Sequence, residues 1–254
     1  MKKLKVLDLF SGIGGFSLGL ERTGGFKTVA FCEIDTHARK VLKKHWPEII
    51  IYNDVVNLDY NGEIDVITGG FPCQDLSIAG RKAGLSGSRS GLWGHMFRKI
   101  RTLRPRYVII ENVANLLAGP NEQPGGWFRT LLTDLASIGY DAQWHIIPAS
   151  AVGAGHHRQR VWIIAYPNQI MWDVPQKIFN QLSLQISKIM TPRSVLSLLA
   201  NFKQISIDEV YPDHRKLDGI PQAVDSLERL GNSVMPQITE IIGNAILDVE
   251  LNVF

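Results

Sequence analysis

The chain has 254 residues, 45% hydrophobic and 20% charged, which excludes a disordered or fibrous protein and lies near the upper size for one hydrophobic core. Its apolar runs are too short to cross a bilayer, Asp8 and the glycines from Gly12 interrupt any signal-like start, and Cys32 and Cys73 make no disulfide framework. A cytoplasmic setting is therefore expected, with no membrane association and no metal centre. The net charge is +3, yet residues 81–106 carry Arg81, Lys82, Arg89, Arg98, Lys99, Arg101, Arg104 and Arg106 with no acid. Against that total, these eight positive charges leave the rest of the chain at −5, a pattern that suits a polyanion such as nucleic acid or, equally, a solvated loop and helix face.

In chain order, residues 6–10 read as a buried strand, followed by a glycine-rich turn and a helix through about Arg22. Residues 29–34 form a second expected strand, and 36–45 a helix capped by Thr36 and closed before Pro47. Residues 49–52 and 65–68 read as strands three and four, 92–103 as a helix ended before Pro105, and 107–110 as strand five. A helix over 127–138 ends at Gly139, a position that wants a left-handed backbone. The runs 144–147 and 161–165 leave no room for a crossover helix, so they predict an antiparallel pair at a sheet edge. A last helix is expected from near Pro236 to about Val249. The fold class is thus α/β, a Rossmann-like doubly wound sheet, divided as 1–166, a small irregular lobe over 167–230 punctuated by prolines, and a returning helix over 231–254.

The chemistry collects where strands end. Asp8 to Phe16 places Gly12, Gly14 and Gly15 between a strand and a helix, so backbone N–H groups can approach a ligand closely. Glu33 and Asp54 follow the next two strands, at the heights of a ribose and an adenine amino group, although each acid alone suits a cap or the surface. Cys73, in Gly69-Gly70-Phe71-Pro72-Cys73-Gln74, follows the fourth strand just ahead of the basic segment. A positive setting there would raise its thiolate fraction, as a nucleophile requires. Glu111 ends the fifth strand as a proton donor or a helix cap. Arg158 and Arg160 alternate with Gln159, so both can point one way, to grip a carbonyl or phosphate or to line a solvated edge.

These segments together resemble the DNA (cytosine-5)-methyltransferases, through Asp8–Phe16, Glu33, Asp54, Gly70–Ser77, Glu111–Val113, Arg158–Arg160 and Gly231–Gln237. The resemblance implies that Cys73 adds to C6 of cytosine, Glu111 engages N3, Arg160 holds the base carbonyl and Arg158 supports that region. It implies S-adenosyl-L-methionine against Phe10, Ser11, Gly12, Gly14 and Gly15, with Glu33 at the ribose, Ile34 and Asp54 at the adenine, and Pro72, Leu92, Asn232 and Val234 completing the site. Double-stranded DNA would meet Gln74, Ser77, Arg81, Lys82 and Arg89, with residues 80–91 as a closing loop. The compact form resembles bacterial or phage-type members, a monomer is favoured, and a companion restriction endonuclease, if there is one, is expected to form no stable complex with it.

Two departures stand out. His156 occupies the place where many relatives carry glutamine, and residues 167–218 are short for a base-reading domain. Three rival readings are a transfer-RNA cytosine-5 methyltransferase, a nicotinamide-dependent dehydrogenase suggested by the glycine turn, and a non-catalytic DNA-binding relative. The dehydrogenase leaves Cys73, Glu111 and Arg160 without a use.

Overall fold

The computed structural model describes residues 2–72, 91–117, 126–152, 158–168 and 233–253. Their elements are β1 (Leu4–Leu9), α1 (Gly15–Arg22), β2 (Phe26–Cys32), α2 (Thr36–His45), β3 (Ile50–Tyr52), β4 (Val66–Gly69), α3 (Leu92–Leu103), β5 (Tyr107–Val113), α4 (Gly126–Ser137), β6 (Tyr140–Pro148), β7 (Gln159–Pro167) and α5 (Pro236–Val253). Seven strands form one mixed sheet in the order β3-β2-β1-β4-β5-β7-β6. The first five are parallel, and β7 runs antiparallel to both β5 and β6, which gives the expected edge pair.

Both faces of the central strands are covered, which is why their sequences are nearly continuous apolar runs rather than alternating ones. Side chains of successive residues go to opposite faces. Val6, Val66, Ile109 and Ile164 meet Phe16 and Leu20 of α1 with Ile238, Ile242 and Ile246 of α5. Leu7, Ile67, Val108 and Ile163 meet Trp93, Met96 and Ile100 of α3 with Leu131 and Leu135 of α4. The C-terminal helix is thus a structural layer of the sheet, each of its buried isoleucines contributing about 2 kcal/mol. It lies so close to α1 that a Cβ at Gly19 would come 1.8 Å from Thr239 Oγ1 and 2.2 Å from the Pro236 carbonyl.

Several boundaries differ from expectation. β2 begins at Phe26 because Leu4 already pairs with it, and β6 begins at Tyr140 because the ladder to β7 is unbroken from Pro167 back to Gln159. The helix α2 is capped by Asp35, not Thr36: the Asp35 carboxylate accepts from the N–H groups of His37 and Ala38 at 2.7 and 3.0 Å. Two adjacent residues could both have capped, and the carboxylate adds favourable charge at the helix N-terminus. Gly139 does adopt the left-handed backbone, at φ 75°. The lobe expected over 167–230 lies outside the described residues apart from Pro167 and Asn168.

The basic segment divides. Arg98 and Arg101 are exposed on α3, whereas Arg104 donates to the Ile138 carbonyl and lies 4.8 Å over the Tyr140 ring. Arg106 and the Tyr107 hydroxyl both donate to Glu250 of α5, each at 2.7 Å. Two of the eight cations therefore hold the fold together at the amino ends of the strands. Replacing Glu250 with Ala strands the buried Tyr107 hydroxyl and should lower the unfolding free energy by about 2 kcal/mol. An unchanged urea midpoint for Glu250→Ala would contradict that role.

Candidate active site

At the carboxyl end of β1 the chain turns through Phe10 (φ 53°), Gly12 (φ 53°) and Gly14 (φ 89°) into α1. A left-handed phenylalanine costs about 1–2 kcal/mol, so the surroundings must hold it. Its ring meets Phe71 edge-on at 6.4 Å. A Cβ at Gly12 would meet nothing within 4 Å, so the outer side of the turn is open. The inner sides are not: a Cβ at Gly14 would strike Trp46 at 2.7 Å, and one at Gly15 the Val234 carbonyl at 2.4 Å.

Glu33 sits beyond β2 at the rim of this turn. One carboxylate oxygen accepts from Gly12 N–H at 2.6 Å and the other from Asp35 N–H at 2.7 Å. Ile34 beside it is 72% exposed, and Asp54 Oδ1 accepts from Val56 N–H at 2.9 Å. Ser11 differs from its neighbours: its hydroxyl is buried, donating to the Asp8 carbonyl at 2.6 Å and accepting from Cys32 N–H at 3.2 Å. Its side chain therefore serves the fold, and only its backbone belongs to the open turn. Burial, with the charges of Glu33, Asp54 and Asp8, pushes the Cys32 thiol up to about 12, so this cysteine is inert.

Two strands away, β4 and β5 end together. Glu111 is buried, with Oε1 at 3.1 Å from Arg160 Nε and 3.6 Å from Arg158 Nη2. The register explains the encounter: Glu111 faces Trp162 and Val113 faces Arg160 across the antiparallel pair, so Arg160 reaches Glu111 diagonally, and Arg158 approaches it from just before β7. Burial holds the Glu111 carboxyl above the usual range, and the Arg160 and Arg158 charges oppose that rise. Arg158 also donates to the Ser233 carbonyl at 2.7 Å, tying β7 to the entry of α5, and its Nε has no partner among the described residues.

The segment leading to Cys73 is held at its base. Asn112 Nδ2 donates to the Phe71 carbonyl at 2.9 Å, and a Cβ at Gly70 would lie 3.4 Å from Glu111 Oε2. Pro72 is exposed, and Leu92 starts α3 partly buried against the core. Cys73, Gln74, Ser77, Arg81, Lys82, Arg89, His156 and Asn232 lie outside the described residues. Among the described residues no cluster of His, Cys, Asp or Glu could hold a metal ion, and no helix is long and apolar enough to cross a membrane.

The buried contacts of Asp8 were not legible in the sequence. Its carboxylate is completely buried, accepting from Ser17 Oγ on α1 at 2.8 Å and from Thr68 Oγ1 on β4 at 2.7 Å. Ser17 and Thr68 carry no motif; only their small hydroxyls in otherwise apolar surroundings could have hinted at a buried acceptor.

A mixed sheet of five parallel strands and an antiparallel edge pair, with an open glycine turn after β1 and an acid after β2, places the chain among the doubly wound α/β proteins. Residues 4–226 match the family model of C-5 cytosine-specific DNA methylases, and the chain belongs to that family. It is 37% identical over 182 residues to the Type II methyltransferase M2.BsuMI of Bacillus subtilis, covering 70% of this chain and 45% of that protein. It is 35% identical over 185 residues to M.Sau3AI of Staphylococcus aureus, covering 67% and 45%. The chain M1.ScrFI of Lactococcus lactis is 30% identical over 217 residues, covering 85% and 52%. This chain thus spans about half the length of the curated relatives it matches. In fold it resembles a protein encoded within an E. coli prophage and described as a DNA modification methyltransferase, with TM-score 0.63, 21% identity and 98% and 100% of the two chains covered. It also resembles a mutant DNMT2 of Spodoptera frugiperda, with TM-score 0.53, 19% identity and 98% of each chain covered.

Burial, with the nearby Glu33 charge adding to it, pushes Asp8 up to about 7 against the Ser17 and Thr68 hydrogen bonds. A carboxyl raised in the folded state contributes stability that is full below pH 4 and lost as pH rises through 7. The stability of wild type relative to Asp8→Asn should therefore fall between pH 4 and 7, by on the order of 4 kcal/mol at about 1.4 kcal/mol per pH unit. A difference that does not vary with pH across that window would show Asp8 to be ionised throughout.

Proposed function

We propose that the protein transfers a methyl group from S-adenosyl-L-methionine to C5 of cytosine in a short sequence of double-stranded DNA. The observation that carries the proposal is the buried Glu111 between Arg158 and Arg160, at the end of the strand beside the one that leads to Cys73. Membership in the cytosine-specific family supplies the chemistry that this arrangement serves.

The residues at the other end of the edge fit the methyl donor. The open face over Gly12, the Glu33 carboxylate at the rim and the exposed Ile34 offer close backbone approach, a hydroxyl acceptor and an apolar wall for a nucleoside. Phe10, Gly14, Gly15, Asp54, Pro72, Leu92, Asn232 and Val234 would complete its surroundings. When bound, S-adenosyl-L-methionine supplies an electrophilic methyl group.

C5 of cytosine is a poor nucleophile until the ring is activated. Addition of the Cys73 thiolate to C6 makes C5 electron-rich, dividing one hard step into easier ones. Glu111 is suited to give a proton to N3 as that charge develops, because burial keeps its acid form to higher pH than in free glutamate. Arg160 would hold the base carbonyl, and Arg158, anchored on Ser233, would fix the entry of α5 relative to the base site. Once C5 carries the methyl group, loss of the C5 proton to solvent, return of the N3 proton to Glu111 and departure of Cys73 as thiolate restore aromaticity.

The target atom is inaccessible inside a duplex, so the cytosine must leave the stack, at a cost of a few kcal/mol. Arg81, Lys82 and Arg89 would grip phosphates, and Gln74 and Ser77 would approach the strand, giving affinity that weakens with salt. The names of the Type II relatives support a restriction–modification setting, in which a companion endonuclease would act on the same sequence.

Labelled methyl should pass from the donor to C5 of cytosine in unmethylated duplex DNA, vanish with Cys73→Ala, and fall about 10²- to 10⁴-fold with Glu111→Gln. Bisulfite mapping of the product would read the target. Donor binding without label in duplex DNA, single-stranded DNA or transfer RNA would overturn the activity and leave a DNA-binding relative.

A further inference from the structure

The mechanism above makes no use of Asp8, yet it is the completely buried acid at the centre of the site's supporting edge. Its two carboxylate oxygens go to different elements. Oδ2 accepts from Ser17, on the helix that follows the glycine turn, and Oδ1 accepts from Thr68, on β4. Thr68 precedes Gly69, Gly70, Phe71 and Pro72, the run that leads to Cys73. The Asp8 carbonyl takes a third bond, from Ser11 within the turn itself. A second contact joins the same two segments, the edge-on meeting of Phe10 with Phe71.

A structural account needs only that a buried carboxylate be satisfied, which two hydroxyls on one element would do equally well. Here the two donors belong to the two halves of the site. In a close-packed interior a displacement of one donor is felt by the other through the carboxyl group that they share. The parallel register reinforces this, because Asp8 lies directly opposite Thr68 and Leu9 opposite Gly69.

From this geometry we infer that Asp8 is a positioning residue that couples the methyl-donor turn to β4 and the run Gly69–Pro72 that leads to Cys73, so that filling the turn also changes the reactivity of Cys73. The inference rests on the methyltransferase reading and deepens it. Binding at the turn fixes α1 through Gly12 and Gly14, Ser17 transmits that position to the Asp8 carboxylate, and Thr68 passes it to β4. By reciprocity, a change on β4 must alter affinity at the turn.

The test uses cross-effects, which a purely local role would not produce. Affinity for S-adenosylhomocysteine is measured by calorimetry, and the alkylation rate of Cys73 by iodoacetamide is followed by mass spectrometry with and without that ligand. Buried Cys32 serves as an internal reference. Thr68→Val, nearly isosteric and on the nucleophile side, should weaken S-adenosylhomocysteine about tenfold, as loss of one buried hydrogen bond predicts. Ser17→Ala, on the donor side, should reduce the ligand's effect on the Cys73 alkylation rate by about half or more, since the side-chain link from α1 to Asp8 is cut. Tyr107→Phe, which removes a buried hydrogen bond at the opposite edge of the sheet, should move neither quantity.

Absence of either cross-effect overturns the proposal, as does a Tyr107→Phe protein that shifts both quantities equally, because the effect would then be general loosening. Wild-type protein that binds no S-adenosylhomocysteine would instead sink the methyltransferase reading, and this proposal with it.

Discussion

Three parallel strands, β1, β4 and β5, end side by side, with Asp8 opposite Thr68 and Gly69 opposite Ile110. Each then hands the chain to a segment whose polar groups can no longer be satisfied by the ladder and must find other partners. Asp8 takes the hydroxyls of Ser17 and Thr68, Asn112 takes the Phe71 carbonyl, and Gly12 gives its N–H to Glu33. These partners fix where the loops start. The site is in this sense a consequence of closing the sheet's carboxyl edge: the same bonds that satisfy the backbone bring the glycine turn, the approach to Cys73 and Glu111 within reach of one another.

The antiparallel strand β7 adds what a purely parallel sheet lacks. A sixth parallel strand would have brought its loop to this edge only after a crossover helix. Running the other way, β7 begins at the carboxyl edge and delivers Arg158 and Arg160 straight onto Glu111. Burial favours the neutral acid and the two guanidinium groups favour the carboxylate, with burial the stronger of the two. The register that sets this is tightly specified, because a one-residue slip would turn Arg160 away and carry Trp162 off its packing on Phe16.

Much of the architecture was legible because the burial pattern is strong. The helix over 92–103 is bounded by Gly91 and Pro105, and the antiparallel pair followed from the lack of room for a crossover. Strand starts at Phe26 and Tyr140 were missed, since pairing to a neighbour, not local sequence, decides where a strand begins. Motif residues gave the acids and arginines of the site but not their supports. Whether an acid at a strand end faces a ligand or the interior depends on the pleat and on distant hydroxyls, so the burial of Asp8 and of the Ser11 hydroxyl appears only in three dimensions. The basic segment misled in part for the same reason: charge counts alone do not reveal that Arg106 reaches back to Glu250, far along the chain.

The central claim is that Cys73 attacks cytosine at the edge these strands create, and a mechanism-based trap tests it most directly. Duplex DNA of random sequence, with 5-fluorocytosine in place of cytosine, is incubated with the protein and S-adenosyl-L-methionine. Fluorine at C5 cannot leave as the proton does, so a covalent complex that survives denaturation should accumulate only when the methyl donor is present. Mass spectrometry should locate the adduct on Cys73, and Cys73→Ser should form none. Protein that binds the donor and the DNA yet yields no such complex, or yields one through a different residue, would contradict the account.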